Sequence, residues 1–267
     1  MRFRVAGLEI EVETNAPAVA ETLRGRWQGY ASAGGEPDVR VAYEAIPGFA
    51  VDQPSSRAYP GFAAEARGPG EIRLQRRDGR GIVRAPDAGP VMADFAGVDE
   101  PFALEAVLRV AVAAALPRAG GLVLHSSGGM ADTALLFLGK SGAGKSTISR
   151  LLPLRRLGDD LTAVRPDPTG RFHAHATPFA GEIGPAPDGA APLAGLHFLV
   201  QGGRHLRTRL PPRDALPQLL RNTMAYVVEA RTAARVLAAA GALVDAVPCY
   251  VLEFRKDPDV AVVLGVT

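Results

Sequence analysis

The chain is poor in cysteine, lysine and aromatic residues, and each shortage excludes something. One cysteine, Cys249, stands among 267 residues. No disulfide can form within the chain, and a reducing compartment suits it. Aromatic residues make up 6% of the chain, and Trp27 and Tyr250 are expected in the core or an interface rather than as base-stacking platforms. Charge leaves no footprint for nucleic acid, because the formal net charge is +2 and the arginines are spread along the chain. Long apolar runs are missing too. The longest, Val110 to Pro117, is far too short to cross a bilayer. Met1-Arg2-Phe3-Arg4-Val5 leads into alternating residues rather than an apolar block, so no signal peptide, no membrane partner and a cytoplasmic location are expected. The scarcity of lysine is the most telling of these features. The 30 basic residues divide into 27 arginines and three lysines, Lys140, Lys145 and Lys256.

Two of those lysines stand in Gly139-Lys140-Ser141-Gly142-Ala143-Gly144-Lys145-Ser146-Thr147, which fits the phosphate-cradling pattern G-x-x-x-x-G-K-[ST] at every fixed position. Thr133 to Leu138 runs into it as an apolar strand, and Ser146 to Leu152 reads as the first turns of a helix. In that setting Gly139, Ser141, Gly142, Ala143 and Gly144 let the backbone curl its N–H groups toward phosphate oxygens. Lys145 is expected to reach the outer phosphates, Ser146 to ligate magnesium and Thr147 to begin the helix beside it. A glycine-rich turn with a chance lysine is the bland alternative, and the strand–loop–helix context argues against it.

Around the loop the pattern is α/β. Residues 1–12 alternate as a hairpin, a helix is predicted over about 17–28, and Asp38 to Ala45 alternates again. The Pro-, Gly- and Ser-rich stretch between about 46 and 70 reads as loop. Ile72 and Leu74 form a strand that returns through Ile82-Val83. Glu100 to Leu116 is helical by its apolar stripe, and Pro117 stops it. Beyond Gly120-Gly121, strands are predicted at Leu122–His125, Leu135–Leu138, Leu161–Val164, Phe172–Ala176, Leu196–Val200, Leu206–Leu210, Cys249–Phe254 and Val260–Leu264. Ser126 to Ala131 reads as a turn, Arg156 to Asp160 as the close of the loop helix, and helices are expected at about 212–224 and 228–241. A boundary near residue 98 divides a strand-rich α+β region, 1–97, from a P-loop domain, 98–267.

A phosphate loop alone says nucleotide and no more. Its partner in phosphoryl transfer is a carboxylate at a nearby strand end. Asp159 and Asp160 follow Lys145 by 14 and 15 residues, the length of a short helix and a return. Adjacent carboxylates repel, and a cation between them keeps both ionised. Arg155 and Arg156 offer another offset, and Gly-Asp-Asp is also an ordinary turn. His125 ends the strand next to the loop strand, at the same sheet edge, where it can donate to a carboxylate and tune its basicity. His173 and His175 share one side of a strand but lack a third metal ligand. Gly139 to Ala143 misses the final glycine of a serine-hydrolase elbow. Cys249, after Pro248 in an apolar strand, reads as a buried thiol.

Leu124-His125-Ser126-Ser127, the loop and Leu157-Gly158-Asp159-Asp160 occur in the order seen in bacterial HPr kinase/phosphorylase, which the chain resembles over roughly residues 98–265. It looks most like the shorter HPr-kinase-related proteins of bacterial gene cassettes, including kinases of lasso-peptide precursors. The resemblance implies a fold similar to the C-terminal domain of phosphoenolpyruvate carboxykinase. It implies ATP and Mg²⁺ as cofactors, with Lys145 on phosphate, Ser146 on magnesium, Asp160 as general base, and His125 and Asp159 supporting it. HPr kinases carry a further magnesium-binding glutamate downstream. Glu182 is the nearest counterpart, in surroundings that do not match. The arginine segment linked to phosphorolysis has no clear counterpart, so no phosphorylase activity is expected. The family also hints at a homo-oligomer. The reading is a kinase of a hydroxyl, foremost a serine of a small protein or peptide. The alternatives are a small-molecule kinase acting on an amino acid or sugar, and a non-catalytic nucleotide-binding regulatory module.

Overall fold

Alternating burial along the first third of the chain builds a sheet. The computed structural model describes residues 1–49, 63–179, 181, 184–226 and 230–266, and these pack into two compact units. The first comprises Met1–Arg118 and Ala225–Ala234, the second Ala119–Met224 and Arg235–Thr267. The divide thus falls after Arg118, later than the boundary near residue 98 read from the sequence. The physical reason is the helix Pro101–Ala115: its alanines and valines are buried almost throughout, and it packs on strands of the first sheet.

In the first unit the strands are β1 (Arg2–Val5), β2 (Leu8–Thr14), β3 (Val39–Ala45), β4 (Ala63–Gly68), β5 (Glu71–Arg76), β6 (Gly79–Arg84) and β7 (Val91–Gly97). They lie in the order β1-β2-β3-β7-β6-β5-β4. Val39, Val41, Tyr43 and Ala45 face inward along β3 while their neighbours face out, the period of two that a half-buried strand requires. Helices α1 (Pro17–Arg26) and α2 (Pro101–Ala115) both begin on proline, whose missing N–H costs nothing in a first turn. Residues 63–68, read from sequence as loop, form the edge strand β4, paired antiparallel with β5. β7 is a strand that the sequence reading did not single out.

The second unit holds β8 (Leu122–Met130), β9 (Ala134–Leu138), α3 (Lys145–Leu151), β10 (Arg155–Gly158), β11 (Leu161–Pro166), β12 (Phe172–His175), β13 (Ala190–Gln201), β14 (Leu206–Leu210), α4 (Pro212–Arg221), α5 (Ala230–Ala246, begun in the first unit), β15 (Cys249–Phe254) and α6 (Val260–Leu264). The loop strand β9, buried at all five positions, lies between β8, antiparallel, and β13, parallel. β15 runs parallel to β13 on its far side, and β14 closes that edge. The other half of β8 pairs with β11, and β11 with β12, which returns to β13. Pairing therefore closes on itself through β8, β11, β12, β13 and β9. Phe137, Ile148, Leu152, Leu252, Phe254, Val260 and Leu264 form a core in which α3 and α6 meet strands β9 and β15. Burying a side chain of this size contributes on the order of 1.5–3 kcal/mol.

Three sequence expectations fail here. Ser126 to Met130 is not a turn: β8 continues through it, antiparallel to β9. Its glycines serve close approach, since a Cβ on Gly128 would stand 2.5 Å from Leu136 Cδ2 and one on Gly129 2.8 Å from Leu154 Cβ. Residues 155–158 are a strand rather than the tail of a helix. Val260 to Leu264 is a short helix, which brings Val260 and Leu264, four apart, onto the same core. No helix among the described residues is long and apolar enough to cross a membrane.

Candidate active site

β9 delivers the chain into the loop, and two left-handed glycines shape it, Gly142 at φ 79° and Gly144 at φ 101°. At Gly144 a Cβ would stand 2.7 Å from Phe254 Cζ, so β15 packs directly on the loop's last turn. Lys145 folds its ammonium back onto the loop, donating to the Gly139 carbonyl at 2.7 Å and the Lys140 carbonyl at 3.3 Å. Burial lowers its pKa below the ordinary lysine value, and the nearby Asp160 carboxylate partly raises it again. Ser127 of β8 donates to the Lys145 carbonyl at 2.8 Å and ties the start of α3 to the sheet. Ala143 differs from the other loop residues assigned to phosphate. Its side chain is buried in the core cluster and its N–H is taken by the Lys140 carbonyl at 3.0 Å.

The carboxylates reach the loop through a change of partner along β8. β10 pairs with Gly128 to Met130 and β11 with Leu122 to His125. Asp159 and Asp160 fill the break between them, where the Ser126 N–H donates to the Asp160 carbonyl at 3.1 Å. On the opposite side of β8, Ser126 faces Leu138, the last residue before the loop. The pair is thereby one strand away from Gly139. Asp159 is 5% exposed and accepts from the Gly181 N–H at 3.1 Å. There is no room for a side chain at Gly181, whose Cβ would lie 2.9 Å from Asp159 Oδ2.

His125 is not at the end of its strand, as the sequence suggested, yet it reaches the same edge. Because β8 is antiparallel to β9 with Ser126 opposite Leu138, His125 comes level with the first loop glycine. Its Nδ1 lies 3.4 Å from Asp160 Oδ1, and its side chain is 57% exposed against 25% for Asp160. That separation is long for a hydrogen bond and short enough to couple the two groups.

One cleft of about 570 Å³ collects these residues. His125, Gly139, Ser141, Gly142, Gly144, Lys145, Ser146, Thr147, Asp159 and Asp160 line it, so every site residue expected from sequence is present except Ala143 and Glu182. Glu182 lies outside the described residues. The cleft also holds Lys140 of the loop, and Arg150, Gln201, Arg221, Asn222 and Lys256, which sequence reasoning did not assign to it. Asn222, just past α4, accepts from the Gly139 N–H at 3.1 Å through Oδ1 and from the His125 N–H at 2.7 Å through its carbonyl. Gln201, at the end of β13, donates to the Gly142 carbonyl at 2.5 Å. No sequence pattern marks either residue. For Lys256 a signal existed: all three lysines of the chain line this cleft.

A larger hollow, about 800 Å³, lies on the first unit's sheet between Glu13, Tyr43, Arg80 and Asp94. It holds neither the phosphate loop nor a lysine. On β12, His173 pairs with Asp167 at 3.2 Å, burial pushes His175 down to about 4, and no group of three or more His, Cys, Asp or Glu side chains that could hold a metal occurs among the described residues. Cys249 is buried, and burial pushes its thiol up to about 11. No protein-family model matches the chain, and no curated protein matches it.

Proposed function

We propose that the chain is an ATP- and magnesium-dependent kinase that transfers the terminal phosphoryl group to a hydroxyl, in the manner of HPr kinase/phosphorylase. The observation that carries this reading is the meeting of Lys145, Asp160 and His125 in one cleft. A nucleotide binder needs the loop alone. A carboxylate coupled to a histidine beside the loop gives a hydroxyl proton somewhere to go. In the step, the acceptor oxygen bonds to the terminal phosphorus as the bridging P–O bond breaks. The hydroxyl proton passes to Asp160 and the nucleoside diphosphate leaves.

The residues present fit both cofactors. The left-handed turn at Gly142 leaves open space where a side chain would stand, the cradle that backbone N–H groups need to approach phosphate. Ser146, Asp159 and Asp160 offer only oxygen, the donor set that suits magnesium over softer metals. When bound there, magnesium neutralises charge on the phosphates during transfer. His125, more than half exposed at the cleft mouth, favours an acceptor that approaches from open solvent. A serine of a small protein or peptide meets that requirement better than a metabolite sealed in a pocket. The same reading gives the second unit the HPr kinase and phosphoenolpyruvate carboxykinase type of fold, and a cytoplasmic setting where ATP is abundant.

Asp160→Asn tests the assignment. Transfer from labelled ATP to a cell extract is expected to fall by about 10²–10⁴, with ADP affinity at neutral pH nearly unchanged. Transfer at the parental rate would remove Asp160 from the mechanism. Label appearing only in small molecules would reject the peptide acceptor, and tight ADP binding without transfer to any acceptor would leave a regulatory binding module.

A further inference from the structure

We infer that Lys256 is a second phosphate-binding lysine beside Lys145, which holds the inner phosphates of the nucleotide from the side of the cleft opposite Asp160. The inference rests on the nucleotide reading of the cleft and adds a residue that no loop motif contains. Its first support is composition. Arginine fills basic positions in this chain 27 times in 30, and the exceptions all line one cleft. An ammonium is a compact charge with rotatable donors, whereas guanidinium is a planar fork. Between crowded phosphate oxygens the compact group fits several directions at once.

The second support is the corner that carries it. Past β15 the chain turns sharply, with the Asp257 N–H donating to the Arg255 carbonyl at 2.9 Å and the Asp259 N–H to Asp257 Oδ1 at 3.1 Å. Arg255 on one side is paired with Asp257 and Asp259, and His205 of the β13–β14 connection meets Asp257 at 2.8 Å. Every charged neighbour in the corner is engaged. Lys256 makes no ion pair or side-chain hydrogen bond among the described residues and lines the cleft. Two residues earlier, Phe254 packs against Gly144, so the corner is built onto the loop it faces.

The third support is direction. Asp160 and His125 lie on the β8 side of β9, whereas β15 lies beyond β13 on the other side. A nucleotide with its terminal phosphate at Lys145 and Asp160 extends its remaining phosphates toward Lys256. Gln201, which ends β13 between them, is positioned along the same path.

Calorimetric titration of wild type and Lys256→Met with ADP, tripolyphosphate and adenosine tests this. Loss of one charged contact is expected to weaken ADP and tripolyphosphate about tenfold each, and to leave adenosine binding and thermal stability unchanged. Lys256→Arg, which keeps the charge and loses the compact head, is expected to fall between the two. If wild type binds ADP and tripolyphosphate but Lys256→Met binds them equally well, the role of Lys256 is overturned while the nucleotide reading stands. An equal loss on adenosine would also overturn it, by placing the contact on the nucleoside. Wild type that binds neither ADP nor tripolyphosphate would overturn the nucleotide reading itself.

Discussion

Lys145 illustrates how much a single group depends on what surrounds it. Its ammonium is half-buried and held by two loop carbonyls, with Asp160 near enough to favour the charged form. Burial prevails, and the pKa lies below that of an exposed lysine. Phosphate is attracted to the protonated amine, so affinity falls as pH rises through that pKa. ADP binding should therefore weaken at a lower pH than an ordinary lysine, near 10.4, would impose. Asp160→Asn removes the charge that supports protonation and should move the loss to still lower pH. Dissociation constants measured over about pH 7–10 check both statements. Superimposable profiles for the two proteins would show that Asp160 does not sense the lysine. The sequence named Lys145, Asp160 and His125 because each sits in a local pattern of type and spacing. It was silent on Asn222, whose hydrogen bonds to Gly139 and His125 exist only once the chain past α4 has been laid against β8.

Elements were legible where one local pattern decided them. The β9–loop–α3 unit, the β1–β2 hairpin and α2 each carry a complete signal of period, glycine or proline within their own residues. The failures have a common cause, which is long-range packing. Gly128 and Gly129 imitate a turn but are small so that Leu136 and Leu154 can approach. Val260 to Leu264 is β-branched and apolar, yet the core beside α3 takes it as a helix. The clamp from the end of α4 is of the same kind and gives a test at this scale. Asn222→Ala deletes the acceptor for the Gly139 N–H, an interaction worth about 1–2 kcal/mol. Thermal stability should fall and ADP affinity should drop several-fold, since the loop loses its anchor. Asn222→Asp restores an acceptor but sets a negative charge beside phosphate. It should recover only part of the melting temperature, because a carboxylate cannot replace the Asn222 Nδ2 donation to the Gln218 carbonyl at 2.8 Å, and it should not recover ADP affinity. Joint recovery of both in Asn222→Asp would show that Asn222 has no electrostatic part in the cleft.

At the scale of the molecule, acid exposes what the second unit's core conceals. His197 lies fully buried between Phe137 on β9 and Tyr250 on β15, with Arg207 stacked above Tyr250 at 3.7 Å. Burial lowers its pKa to about 3, the positive charge of Arg207 adds to that, and the Leu136 backbone offsets only part. His175 is lowered to about 4 by burial, with His173 and Arg165 contributing. Both rings are neutral in the folded chain and titrate near 6.5 when it unfolds. Between those values the unfolded state binds more protons, so stability is complete above about pH 6.5 and is lost as pH falls toward 4. Glu105 in the first unit works with the opposite sign, because burial raises its pKa above the usual carboxylate value. Acidification therefore favours its folded, protonated form. The histidine contribution is best isolated by variant. His197→Phe keeps an aromatic ring between Phe137 and Tyr250 but cannot charge. Its urea midpoint should lose less than that of wild type between about pH 7 and pH 5. An identical loss in both proteins would mean that His197 keeps the same protonation state in the folded and unfolded chain. The acid sensitivity would then have to come from the other titrating groups.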